Sequence, residues 1–163
     1  MYDGADLTGL RDIRSSAMSW DYLKRIRDAT KMKMVIKGIM AWEDAKIASE
    51  SGIDAIIVSN HGGRADENGR STIEALGEII EAAGKMPVLV DSGFRRGTDI
   101  VKALCMGAKG VCIGRPYLWG LGAFGQEGVE RVLELLRLEL MASMQQVGAP
   151  SIKHLVPTMV KRV

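Results

Sequence analysis

Apolar positions along this chain follow two rhythms: short continuous runs, and longer stretches with an apolar residue every third or fourth place. The runs Met34-Val-Ile-Lys37, Ala55–Ser59, Pro87-Val-Leu-Val-Asp91 and Val111-Cys-Ile-Gly114 read as short strands buried on both faces. Helical spacing lies between and around them. Ser19 can cap a helix carrying Trp20, Leu23 and Ile26, and residues 41–51 place Trp42, Ala45 and Ala48 inward before Gly52 stops the helix. A helix over 72–83 sets Ile73, Leu76, Ile79 and Ile80 on one side, with Gly84 after it. Another starts near Thr98 and ends at Met106 before Gly107. The last, over about 127–147, has the stripe Val129, Val132, Leu133, Leu136, Leu140, Met144 and Val147, ended by Gly148 and Pro150. Residues 1–18 show little periodicity and read as a loop leading into a folded part over 19–163.

Four strands each followed by a helix predict an α/β fold with a parallel sheet and right-handed crossovers. The pattern also repeats. A shift of 55 residues carries Val35, Gly38, Asp44, Ala48 and Gly52 onto Val90, Gly93, Asp99, Ala103 and Gly107. Two βα units repeated in this way suggest a (β/α)-barrel built from quarter units. A complete eight-stranded barrel takes about 250 residues, and 163 residues hold four strands. The chain therefore reads either as half a barrel or as a small open sheet.

In a parallel sheet all strand C-termini lie on one side, where α/β proteins place their sites. Each strand here ends in polar residues. The first ends at Lys37-Gly38 and the second at Ser59-Asn-His-Gly-Gly-Arg64. The third ends at Asp91-Ser92-Gly93 with Arg95 and Arg96 behind, and the fourth at Gly114-Arg115-Pro116. His61 is a titratable base three residues from the fixed cation Arg64, and Gly62 and Gly63 let the chain turn tightly between them. That pair suits a small carboxylate substrate. The last two ends place glycines and arginines before helix N-termini, where unpaired amides receive anions, so Arg95 and Arg115 are expected to bind a phosphate. Arg96 is expected to be a solvated neighbour.

Composition narrows the partners. Hydrophobic content of 47% and charged content of 26% are those of a globular protein, and a net charge of +2 points to neither nucleic acid nor an anionic membrane. Cys105 and Cys112 are too few for a disulfide framework, no run approaches a membrane span, and Met1-Tyr-Asp-Gly lacks a signal-peptide pattern. The expectation is a cytoplasmic protein with no metal site, and His154 is expected at the surface.

Taken together, Ser59-Asn-His-Gly-Gly-Arg64, Val35-Ile-Lys-Gly38, Asp91-Ser-Gly-Phe-Arg-Arg-Gly-Thr98 and Ile113-Gly-Arg-Pro116 resemble the FMN-dependent 2-hydroxy acid oxidases and dehydrogenases. The likeness runs from about Ser19 to the C-terminus and corresponds to the C-terminal half, strands 5 to 8, of that family's TIM barrel. The resemblance implies oxidation of an L-2-hydroxy acid such as lactate, glycolate or mandelate to the 2-keto acid. His61 would act as base and bind substrate with Arg64. Lys37, Ser59 and Asp91 would contact FMN, and Ser92, Gly93, Arg95, Gly114 and Arg115 its phosphate region. Ser92 stands where many members have glycine, and Ala65-Asp66-Glu67 departs from a more usual Gln-Leu-Asp. Four strands cannot close a barrel and leave the outer edges of the first and fourth strands unpaired, so the chain is expected to need a missing N-terminal half or to self-associate, as a homo-oligomer. Two alternatives remain at this point: another phosphate-binding barrel, similar to IMP dehydrogenase, or a non-catalytic half-barrel.

Overall fold

A computed structural model describes residues 18–64 and 69–161. Nearly all of the loop expected over 1–18 lies outside them. The chain divides into two compact units, residues 1–34 and 35–163. In the first, helix α1 (Trp20–Ala29) starts as the spacing predicts, with Ser19 Oγ accepting from the Tyr22 amide at 3.2 Å. Its end is closed by Arg27, which donates to the carbonyls of Thr30 and Met32.

The second unit holds a four-stranded, wholly parallel sheet in sequence order, β1 (Val35–Ile39), β2 (Ala55–Val58), β3 (Val88–Val90) and β4 (Gly110–Val111). Helices α2 (Trp42–Glu50), α3 (Thr72–Ala83), α4 (Gly97–Cys105) and α5 (Arg115–Gln146) follow the strands in turn. Ile56, Val58 and Val90 on the strands and Leu76 and Ile79 on α3 are completely buried. A smaller apolar cluster (Val101, Cys105, Ala149 and Leu155) joins α4 to the chain beyond α5. Each fully buried aliphatic side chain is worth about 1.5–3 kcal/mol, so the middle of the sheet anchors the unit.

The repeat is visible in the backbone. Gly38 and Gly93 both take positive φ (100° and 93°), as do Gly52 and Gly107 (72° and 109°). Ala48 and Ala103, related by the same shift, are both completely buried. Register differs in detail: Val35 pairs with Ala55, whereas Val90 pairs with Val111, one residue further on. The register shifts between Lys37 and Ile39, a bulge at Gly38 just past Lys37.

Four expectations change. Trp42 is exposed, because it occupies the first turn of α2 and only Ala45 and Ala48 reach the core. The fourth strand is shorter than its apolar run. The last helix begins at Arg115, not near 127, and bends at Phe124 and Gly125. Gly120 and Gly128 are buried against each other across the bend, and a Cβ on either would overlap the other's backbone. Beyond the bend Leu136 is buried, but Leu133 and Val147, expected in the inward stripe, are exposed, with Leu135, Leu138 and Met141. Apolar residues on more than one side of a helix leave a second apolar face.

Candidate active site

The parallel strands deliver their C-terminal ends to one open cleft of about 830 Å³. Lys37, in the middle of β1, sends its ammonium across the sheet to Asp91 beyond β3, at 3.0 Å, and donates to Ser59 Oγ at 2.7 Å. Ser59 is fully buried behind the cleft. Burial alone would raise the Asp91 carboxyl. Hydrogen bonds from Ser59, Ser92 and Lys37, with the charge of Lys37, outweigh it and hold the group below its ordinary value.

The loop after β2 is held in an unusual backbone. His61 takes φ 55° and Gly62 and Gly63 follow at 76° and 77°. Left-handed geometry costs a non-glycine residue about 1–2 kcal/mol. Side-chain oxygens capture the amides of this turn. The His61 amide donates to Ser59 Oγ (3.2 Å), that of Gly62 to Ser92 Oγ (3.0 Å), and that of Gly63 to Asn60 Oδ1 (3.0 Å). The imidazole lies against the end of β1, where a Cβ at Gly38 would stand 3.0 Å from His61 Nε2. Gly38 is thus required by both its φ and its neighbour. Arg64 lines the same cleft and makes no hydrogen bond or ion pair with a described residue, leaving its guanidinium available to an anion.

The opposite wall comes from the loops after β3 and β4. Gly93 and Gly114 line the cleft with nothing within 4 Å of where a Cβ would stand. Arg95 lies over Trp119, 5.3 Å from the ring centroid, and Arg115 donates to the Gly62 carbonyl at 2.9 Å. One expectation fails here. The amides of Arg95 and Arg96 are taken by Asp99 Oδ2 (3.0 and 2.9 Å), and that of Gly97 by Glu139 Oε2 (2.9 Å). The start of α4 therefore gives these amides to a carboxylate of its own first turn, Asp99, and to Glu139 of α5. The start of α5 is different: Gly114 provides no side-chain cap, so that end keeps its positive dipole facing the cleft. Arg96 is exposed but paired with Glu139 at 2.8 Å, so it ties α4 to α5 instead of standing free in solvent.

The profile described as FMN-dependent dehydrogenase matches residues 3–162 of the chain. The chain belongs to that family. 2-Hydroxyacid oxidase 1 of Mus musculus is 42% identical over 162 residues, 96% of this chain and 44% of that protein. L-lactate oxidase of Nostoc sp. is 46% identical over 140 residues, 85% of this chain and 38% of that one. A soluble mutant of the membrane-associated (S)-mandelate dehydrogenase from Pseudomonas putida shares the fold with a TM-score of 0.85 at 39% identity, covering 99% of this chain and 48% of that one. The chain thus spans less than half the length of these relatives.

Nine of the ten site residues anticipated for an FMN-dependent dehydrogenase line the one cleft: Lys37, His61, Arg64, Asp91, Ser92, Gly93, Arg95, Gly114 and Arg115. Ser59 does not; it supports Lys37 and the His61 amide from behind. Sequence reasoning overlooked Thr72, buried at the start of α3, whose hydroxyl donates to the Asp91 carbonyl at 2.6 Å. It also overlooked Cys112 on the cleft wall, whose thiol is pushed up by burial and by the charge of Asp91. No helix among the described residues is long and apolar enough to cross a membrane. Family membership assigns no compartment, since one matched relative is membrane-associated.

Proposed function

We propose that the chain forms the C-terminal half of an FMN-dependent 2-hydroxy acid oxidase or dehydrogenase. Its strands would be the fifth to eighth of a (β/α)8 barrel, with residues 19–163 as the barrel half. The observation that carries this reading is the single cleft with Lys37, His61 and Arg64 on one side and Arg95, Gly114 and Arg115 on the other. The open glycine positions and the cationic wall fit a ribityl phosphate, and the sequence order of the strands fits a barrel segment better than a doubly wound sheet, whose order reverses. The His61 and Arg64 pair separates this reading from an IMP dehydrogenase-like barrel.

Oxidising a 2-hydroxy acid removes two electrons and two protons from the alcohol carbon and its hydroxyl. FMN supplies the electron acceptor when bound. Arg64 would hold the substrate carboxylate, for which a planar guanidinium is suited. His61, neutral at the start, would accept a proton at its imidazole. Lys37 would place fixed positive charge near the acceptor and favour electrons arriving there, with Asp91 orienting its ammonium. Arg95, Gly93, Ser92, Gly114 and Arg115 would hold the phosphate end. The outer edges of β1 and β4 and the exposed apolar side chains of α5 would be covered by the other barrel half or by further copies of the chain. A cytoplasmic location remains part of this reading, resting on the two free cysteines.

The test is to join the chain to the N-terminal part of the Mus musculus relative and purify the product. A yellow protein whose flavin absorbance bleaches anaerobically with L-lactate, glycolate or mandelate is expected. A colourless protein, or a yellow one that none of the three reduces, would reject the reading.

A further inference from the structure

Gly62, next to His61, gives both of its backbone groups to the second half of the sheet. Its amide donates to Ser92 Oγ at 3.0 Å, and its carbonyl accepts from Arg115 at 2.9 Å. The Ser92 hydroxyl is used in both directions, because it also donates to Asp91 Oδ1 at 2.8 Å. Asp91 pairs through its other oxygen with Lys37, and Lys37 donates to Ser59 Oγ, which accepts the His61 amide. The bonds close a ring. Two consecutive amides, of His61 and Gly62, are captured by two serines, and both serines are bound to one ion pair.

Ser92 occupies this place at a conformational disadvantage. Its φ of 71° lies in the left-handed region that favours glycine. Its carbonyl and that of Asp91 both face the buried Thr72 hydroxyl, at 3.2 and 2.6 Å. A strained non-glycine residue whose side chain bridges two functional loops points to a role for that side chain.

We propose that Ser92 is a positioning residue for His61: its hydroxyl fastens the His61–Gly62 turn to the Asp91–Lys37 pair, so the imidazole's placement depends on that pair being intact. This rests on the reading of His61 as the base. Glycine at 92 would ease the backbone but leave the Gly62 amide without its side-chain acceptor. Alanine would remove the same acceptor while keeping the strained backbone. The two substitutions therefore separate the hydroxyl from the conformation.

The measurement is amide exchange and imidazole resonances by NMR on the full chain, without flavin or substrate, in parent, Ser92→Gly and Ser92→Ala. Loss of one hydrogen bond should speed Gly62 exchange about 5- to 10-fold in both variants. The Ile56 and Val58 amides of β2 should keep their rates, and the His61 ring signals should shift or broaden. Ser92→Gly guards against unfolding, since it relieves the left-handed strain. Gly62 exchange unchanged in Ser92→Gly, with β2 still protected, would overturn the proposal, as would parent-like His61 signals in both variants. A chain that shows the expected exchange but never takes up FMN would keep the clamp and reject the proposed function. Normal FMN uptake with no change at Gly62 would do the reverse.

Discussion

The first two strands and the last two share a backbone plan and differ in what they carry. Each pair has a positive-φ glycine at or just past the C-terminal part of its first strand, a buried alanine in the last turn of the following helix, and a positive-φ glycine after that helix. Yet β1 and β2 lead into an ammonium, an imidazole and a free guanidinium, whereas β3 and β4 lead into open glycines and two arginines, Arg115 reaching across to the Gly62 carbonyl and Arg95 lying over Trp119. Backbone plan follows from glycine and alanine positions, which set where the chain can turn and how closely a helix approaches the sheet. Chemistry follows from the one or two residues past each strand, which the plan leaves unconstrained. Under the proposed function, a repeated scaffold divides its labour, with proton and carboxylate handling assigned to one half and phosphate binding to the other.

Substitutions in each half should separate these duties. The largest effect is expected from His61→Gln in the completed enzyme. Flavin reduction by a 2-hydroxy acid, followed by stopped flow, should slow by about 10²–10⁴-fold, the usual worth of a positioned base, with the flavin retained. Reduction at the parent rate would remove the base from the first half. Next comes Arg115→Ala, aimed at the second half. It should weaken FMN binding by about 10–100-fold, as expected for one charge-assisted bond, and leave riboflavin binding nearly unchanged. Fluorescence titration with both ligands reads this directly, and equal losses for the two would show that Arg115 does not serve the phosphate.

The smallest effect concerns the pair that joins the halves. The Asp91 carboxyl is held below its ordinary value in the folded chain, so folding favours its ionised form. The stabilisation is complete above the ordinary aspartate range and is lost as pH falls through it towards the lower folded value. Asp91→Asn should remove that part of the acid-side slope when urea unfolding is measured against pH. The change should be modest, because Lys37 is substantially exposed and water screens the pair. Identical slopes in parent and variant would mean that the carboxylate gains nothing from Lys37, Ser59 and Ser92.

Much of this arrangement could be read from the sequence, for reasons that individual elements show. Helix α3 falls where Ser71 and Gly84 bracket its apolar spacing, because a capping box with Glu74 and a left-handed stop are local signals. The cleft residues were legible because parallel strands must bring their C-terminal ends together. What escaped depended on distant partners. The helical start of α5 carries Pro116, Gly120 and Gly122, which read as loop until Gly128 is seen packed against Gly120. The amides before α4 looked free, although Asp99 at the third helical position was a visible sign that they would be capped. Ser59 and Asp91 meet only because β2 and β3 are neighbours in register, and no local pattern encodes that.

The bend in α5 has a consequence in the genetic code. Gly120 and Gly128 sit where neither position has room for even a methyl group. Every change at the first or second base of a glycine codon inserts a side chain or a stop, so both codons tolerate substitution only at the third base. The two sites should therefore stand out as blank columns in a saturation library selected for folded chain, as empty as the codons for His61 or Arg115 would be under selection for turnover. Gly122 and Gly125, with nothing within 4 Å of a Cβ, offer the contrast. Gly122 should accept alanine freely, whereas Gly125, at φ 60° and ψ −139°, lies where glycine alone sits without strain and should resist replacement despite the open space.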